Sequence, residues 1–273
     1  MLSIILDAQT AVRLSALLAI VLVVASWEIL WPRRPLSISK VLRWSNNWAI
    51  SLLNSLLLYL VFPVLGVGFA LLLEDKNWGL FNVLAVPVWL SIPLFVLIFD
   101  CAIYWQHRLY HWVPLLWRLH RMHHADPDFD VSTGIRFHPV SIVLSMLIKL
   151  LVIGLFGPAA IAVLLSEVLL NVTSMFNHGN IAIPTQVDKW LRLLVVTPDM
   201  HRLHHSVSVA ETNSNFGFNF PWWDRLFGSY RDQPDGGHLG MEIGVRGFQR
   251  PEDQMLHRLI AHPWYQESHA QAD

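Results

Sequence analysis

The apolar positions of this chain fall in long runs, separated by short breaks that carry proline or charge. Residues 11–31 stay apolar for long enough to cross a hydrocarbon core of about 30 Å, and no small-residue cleavage site follows, so the stretch predicts a retained transmembrane helix. Trp31-Pro32-Arg33-Arg34-Pro35 stops it. Residues 48–73 predict a second span bent at Pro63, and residues 80–104 a third that contains Pro87 and Pro93. Residues 139–176 are apolar on both sides of Gly157-Pro158, which is the punctuation of a helical hairpin. Each arm is short for a full crossing, so a re-entrant hairpin and two spans both remain open. From Ile181 onward no run is long enough to span. The pattern predicts an all-α, polytopic membrane protein, a transmembrane helix bundle with a histidine-rich helical cap.

Charge orients this bundle. The loop after the first span carries Arg33, Arg34, Lys40 and Arg43, the densest short basic loop of the apolar half, and is expected in the cytoplasm, whereas Glu74-Asp75-Lys76-Asn77 lies on the far side. The third span then returns to the cytoplasmic face, which places the histidine-rich cap and the C-terminus there. The organisation reads as N-terminal transmembrane helices over 1–95, a histidine-rich domain over 96–232 that includes the membrane hairpin 139–176, and a C-terminal cytosolic tail over 233–273.

Composition agrees: 54% apolar and 14% charged residues, with a mean hydropathy of +0.43, is not a soluble balance. A net charge of -1 offers no field for nucleic acid. The single cysteine, Cys101, excludes an intramolecular disulfide and a thiolate metal cage. Many of the 13 tryptophans end apolar runs, where an amphipathic ring prefers the membrane interface.

The chemistry lies in the histidines. His107 and His111, then His120, His123 and His124, then His201, His204 and His205 are spaced so that each set points to one side of an α-helix, and His178 stands between them in Phe-Asn-His-Gly-Asn. With 14 histidines in 273 residues, HxxHH arises at a given position about once in 7,500 by chance, and it occurs twice. A core rarely buries so many polar rings without something to satisfy their lone pairs. Imidazole suits first-row metals, and nine nitrogens exceed what one ion accepts, so two metals are implied. His238, His257, His262 and His269 sit in a polar tail and are expected on the surface or as caps. Arg108, Arg118, Arg121 and Arg202 alternate with the clusters, either to meet an acidic headgroup or electron donor or to snorkel toward lipid phosphates.

From Asp100 to Tyr230 the chain resembles the fatty acid hydroxylase and sterol desaturase superfamily of membrane di-iron enzymes. The resemblance is carried by Asp100 with Tyr104-Trp105, His107-Arg-Leu-Tyr-His111, Trp117-Arg-Leu-His120-Arg-Met-His123-His124, Arg136-Phe-His138-Pro139, Phe176-Asn-His178-Gly-Asn180, His201-Arg-Leu-His204-His205-Ser206, Asn215-Phe-Gly and Trp223-Asp-Arg-Leu-Phe-Gly-Ser-Tyr230. It implies a four-helix transmembrane core under a cytosolic histidine-lined cap. It further implies two irons held by His107, His111, His120, His123, His124, His178, His201, His204 and His205, and oxygen-dependent attack on a C–H bond of a fatty-acyl, sterol or alkylglycerol chain. Hydroxylation is the expected outcome and desaturation its rival. Molecular oxygen is the co-substrate, and reducing equivalents would come from a separate ferredoxin-, cytochrome b5- or flavoprotein-reductase-like protein. His138 is expected to orient a ligand, line the substrate entry or ligate metal itself. Asp100, Asn180 and Asp199 are candidate acceptors for imidazole N–H groups, with Asp100 alternatively a polar helix end facing water. The substrate tunnel, built from the spans, is expected to be apolar throughout.

Two readings from other classes compete. One is a metal transporter or a metal-storage membrane protein; transport would want ionisable residues near mid-bilayer, whereas these histidines follow the spans at one surface. A bis-histidine haem carrier would use isolated rings facing each other, not triplets.

Overall fold

The computed structural model describes residues 2–266, with side chains from residue 8 onward, so His269 lies outside the described residues. Among the described residues five stretches are long and apolar enough to cross a membrane: Ala8–Leu30, Lys40–Val83, Val88–Trp112, Pro139–Phe156 and Ala160–Asn177. The chain is all-helical in its regular structure, and the elements that position the site are α1 (Leu2–Leu30), α2 (Lys40–Val61), α3 (Gly66–Asp75), α4 (Leu80–Val83), α5 (Val88–Trp112), α6 (Pro114–His124), α7 (Pro139–Phe156), α8 (Ala160–Asn177), α9 (Thr185–Leu191) and α10 (Pro198–His204).

Prolines set the breaks. The expected second span is broken at Pro63, not bent: Phe62, the residue before it, is extended (φ -115°, ψ 105°), as proline demands of its predecessor, and α2 stops at Val61. The ten residues of α3 reach only about 15 Å and wedge against α7 and α8. Pro87 stands before α5, so the third spanning helix begins at Val88 and only Pro93 lies inside it. It also runs on past Tyr104 to Trp112, because nothing interrupts it until Val113 is forced extended by Pro114. His107 and His111 therefore ride on the last turns of the spanning helix itself.

The hairpin forms as two 18-residue helices, each about 27 Å long, close to the thickness of the hydrocarbon core. Gly157 ends α7 in the left-handed conformation (φ +54°), with Pro158 next. A Cβ on Gly157 would lie 2.2 Å from the Trp78 carbonyl oxygen, and one on Gly79 would lie 2.5 Å from the Gly157 Cα. Two facing glycines thus let the 78–79 loop touch the hairpin corner. Below them Phe95, Phe99 and Ile103 of α5 pack on Ile153 of α7 and on Ala162, Val163 and Leu170 of α8.

Residues after 233 fold back onto the cap as far as Gln266. Leu259 packs with Ile50 and Met122, and Gln254 donates to the carbonyl oxygens of Ala125 (3.2 Å) and Phe248 (3.0 Å). His238 and His262 are accordingly buried, against the surface position expected for them, while His257 is exposed.

Alanine at Gly157 meets main chain that cannot rotate away, in a backbone conformation that disfavours a side chain. It is expected to destabilise by about 1–3 kcal/mol, seen as a lower midpoint in thermal unfolding followed by tryptophan fluorescence in micelles. Gly154→Ala, whose Cβ meets only the Phe69 ring at 3.5 Å, should leave the midpoint unchanged or higher.

Candidate metal centre

Successive helical residues are about 100° apart, so in HxxHH the first and last rings are about 40° apart while the fourth and fifth diverge by about 100°. That divergence decides the site. His107, His111, His120, His124 and His204 form one group, and His123, His178, His201 and His205 a second, with the ligand atoms in each group within 4.8 Å of one another. The single-faced boxes expected from the sequence are thus divided. On α6 the pair His120 and His124 joins the first group and His123 the second, and on the segment 201–205 the pair His201 and His205 joins the second group and His204 the first. The exchange is reciprocal and ties the groups together: His124 and His205, from different groups, stack with centroids 4.3 Å apart.

Main-chain carbonyls fix which nitrogen points inward. Nδ1–H of His107 donates to Phe216 O (2.8 Å), that of His123 to Arg136 O (3.0 Å), that of His178 to Ser174 O (2.6 Å) and that of His204 to Ser214 O (2.7 Å). A carbonyl can only accept, so each of these four rings, when neutral, carries its lone pair on Nε2. Yet Nε2 of His107 stands 2.9 Å from Nε2 of His204, and Nε2 of His123 stands 3.1 Å from Nε2 of His178. Two lone pairs at that distance repel; a shared cation turns the repulsion into coordination. Among the described residues, both ring nitrogens of His111 and of His205, and Nδ1 of His124 and of His201, are buried without a hydrogen-bond partner. Burial pushes His120, His123, His124, His201, His204 and His205 well below the ordinary imidazole pKa, so they stay neutral at neutral pH, the form that binds metal. The donor set fits two metal cations.

The loops that present these rings are held by buried charge. Arg43 of α2 donates to Asp126 through Nε (2.6 Å) and Nη2 (2.9 Å) and to Asp130 through Nη1 (2.7 Å), all three side chains being fully buried. Thr133 Oγ1 donates to the same Asp126 (2.7 Å), and Arg136, whose carbonyl orients His123, reaches Met122 O (2.9 Å) and Gln254 Oε1 (2.6 Å). Asp128 takes the Ser37 and Ile38 N–H groups, each at 2.7 Å. Between them Phe129, in the left-handed conformation (φ +48°), lies against His178 and His205. Glu28 of α1 accepts from the N–H groups of Val131 (2.7 Å) and Asn180 (3.0 Å). None of these acids was singled out from the sequence, though Asp126-Pro-Asp128-Phe-Asp130 directly after the first HxxHH was the available signal.

The four residues expected around the ligands have other partners. Asp100 accepts from Asn219 N–H (3.2 Å), Phe220 N–H (3.2 Å) and the Trp223 indole (2.8 Å). Asp224 holds Phe216 N–H and Gly217 N–H at 2.8 Å, so the two carboxylates clamp the loop whose carbonyls anchor His107 and His204. Asn180 exchanges hydrogen bonds with the Arg34 main chain, and Asp199 takes Arg33 (3.0 and 2.9 Å) and Arg202. His138 caps α7, its Nδ1 accepting from Val140 N–H (3.2 Å) and its Nε2 donating to Ile260 O (3.0 Å), and it belongs to neither histidine group. Arg108, Arg118 and Arg121 also turn to carbonyl oxygens of the protein.

A cavity of about 210 Å³ opens beside the rings, between α2, α5, α7 and α8. Phe137, in its wall, stacks on His123 (centroids 4.7 Å), Phe218 contacts His107 (5.1 Å), and Ser174 supplies the carbonyl that anchors His178.

Residues 92–229, just over half of the chain, match the fatty acid hydroxylase family. The chain is similar to an ornithine lipid hydroxylase of Rhizobium tropici (29% identity, covering 59% of this chain and 47% of that protein). It is similar to the human alkylglycerol monooxygenase (25%, covering 67% and 40%) and to a Delta(7)-sterol 5(6)-desaturase of Candida dubliniensis (31%, covering 62% and 40%). The match spans less than half the length of each of these relatives. No solved structure matches.

Asp126→Asn removes the charge that compensates Arg43 in a fully buried pair. It is expected to cost about 3–5 kcal/mol and to lower bound metal per chain, measured by thermal unfolding and elemental mass spectrometry. Asp232→Asn, at a carboxylate 66% exposed, should change neither.

Proposed function

Taking as premise that the chain belongs to the fatty acid hydroxylase family, we propose that it is a membrane oxidoreductase which uses two irons and molecular oxygen to oxidise an unactivated C–H bond of a lipid, by hydroxylation. The observation that carries this reading is the pair of imidazole groups, five rings and four, converging beside a cavity between apolar helices. Octahedral coordination offers six positions, so such sets leave one and two open, where four-coordinate zinc would have none to spare at five rings. Iron bound there would supply the redox chemistry of oxygen activation and hydrogen abstraction.

The chain's own residues supply geometry and dryness. The carbonyls of Phe216, Arg136, Ser174 and Ser214 hold four rings in one tautomer. Phe129, Phe137, Phe216 and Phe218 cover the rings and exclude water, which keeps a reactive oxidant from the wrong substrate. In the balanced reaction a C–H bond becomes C–OH, the second oxygen atom leaves as water, and two electrons and two protons are consumed. The electrons would come from a separate electron-transfer protein of the ferredoxin, cytochrome b5 or flavoprotein-reductase kind. The similarity to a sterol desaturase favours a second reading in which a neighbouring hydrogen is removed and both oxygen atoms leave as water. In either case residues 96–232 form the catalytic unit, and the nine histidines are the ligands. The metal site and C-terminus lie on the cytoplasmic side of a multi-pass protein.

His123→Ala or His204→Ala is expected to lower bound iron and to abolish product labelled from ¹⁸O₂, with membrane insertion unchanged; full activity in either variant overturns the reading. For orientation, a reporter fused after Asp273 should be cytoplasmic and one inserted near Lys76 should not. The reverse pattern would invert the topology.

A further inference from the structure

The cavity beside the rings is not the all-apolar tunnel expected from the sequence. Asn54 donates Nδ2 to Phe137 O (2.8 Å), and its Oδ1 is buried without a donor among the described residues. Gln106 donates Nε2 to Ser145 Oγ (2.7 Å), and its Oε1 is likewise unmatched. Further in, Lys149 lines the same space. It stands ten residues beyond Pro139, about 15 Å along α7 and midway through that helix. Among the described residues no carboxylate lies within 4.0 Å of its ammonium; Glu167 on α8 acts on it from farther off, and that carboxylate is shared with Arg13. An ammonium at that depth is costly unless something pairs with it. The cavity is also reachable from the side. α2 packs on α7, and α8 on α1, α3 and α5; residues 131–135 pack on both α2 and α8, and exposed Ser55 and Asn171 stand on the cavity walls of those two helices.

We propose that Lys149, beside the unmatched amide oxygens of Asn54 and Gln106, forms a polar subsite that takes an oxygen-bearing group of the lipid substrate: a hydroxyl, which accepts from Lys149 and donates to an amide oxygen, or a carboxylate, which accepts from Lys149 alone. The lipid enters between α2 and α8. Its oxygen accepts from Lys149, and the carbon to be oxidised lies about 15 Å away along α7, at the level where Phe137 covers His123. The subsite rests on the lipid-oxidation reading but is tested without turnover.

Full-length metal-loaded protein in micelles is titrated with radiolabelled hexadecanoic acid, hexadecanol and hexadecane. The wild type is expected to bind the acid and the alcohol at least about tenfold more tightly than the alkane. A further preference for the acid identifies a carboxylate, and parity identifies a hydroxyl. Lys149→Met should reduce both to the affinity of the alkane, with metal content unchanged, and Lys149→Arg should keep the preference. Equal binding of all three by the wild type, or an undiminished preference in a folded Lys149→Met chain, overturns the subsite. The wild-type comparison needs no variant, so a Lys149→Met chain that failed to assemble leaves the test standing. A protein that discriminates among the three yet incorporates no oxygen would overturn the oxygenase reading alone.

Discussion

The arrangement depends on holding lone pairs together that would otherwise part. Four imidazoles are locked by carbonyl oxygens so that Nε2 faces inward, and in each group two such nitrogens stand about 3 Å apart. Neutral rings in that geometry repel, and protonated ones would repel more strongly. The surrounding protein must therefore resist relaxation until a cation occupies the focus. The buried pair of Arg43 with Asp126 and the capping of loop N–H groups by Glu28, Asp128 and Asp224 are that resistance, since each fixes main chain carrying a ring or its anchor. Such buried charge is poor value as stabilisation in general, but removing one partner is severe, which suits a role in fixing geometry.

The same contacts change how the basic loop is read. Arg33 pairs with Asp199, Lys40 with Glu28 and Arg43 with Asp126, while Arg34 donates to the His238 carbonyl. The residues that make this loop the densest basic stretch are spent on the cap, not displayed to lipid headgroups. Contact fixes that loop and cap share one side of the bundle. In the proposed topology the side they share follows from charge bias, which acts on the chain as it inserts, before the cap has formed.

Much of this was legible in the sequence. Apolar runs marked the spans, Gly157-Pro158 marked the hairpin corner, and the nine histidines of the two groups were all named. The division of each HxxHH between two groups was less visible, because a helical face is a broad arc and only the neighbours decide which half of it each ring addresses. Helix α5 outran its expected end because ligand histidines are as compatible with a helix as the apolar residues before them. Asp100, Asn180 and Asp199 looked like imidazole acceptors by type, but main-chain groups and arginines claim them. A carbonyl oxygen has no letter in the sequence, so the actual anchors could not be read. Lys149 passed unnoticed as one charge inside a long apolar run, where hydropathy averages it away.

The two histidine groups are not equivalent with respect to the cavity. Phe137, which lies on His123, and Ser174, which anchors His178, both belong to the cavity wall, and both of those rings are in the group of four. The group of five meets the cavity through Phe218 against His107, a ring that also touches His201 of the other group. The group of four thus has more of its boundary on the cavity side. A lipid chain lying along α7 would present to it a short run of adjacent carbons, not a single one. Removal of one hydrogen or of two from such a run then turns on how firmly the chain is held against sliding. A polar anchor at Lys149 and a ring stack at Phe137 constrain that register from both ends, whereas an apolar tunnel would leave the chain free to shift by a carbon. Selectivity for position would then come from the distance between anchor and rings, and selectivity for outcome from the residual play between them.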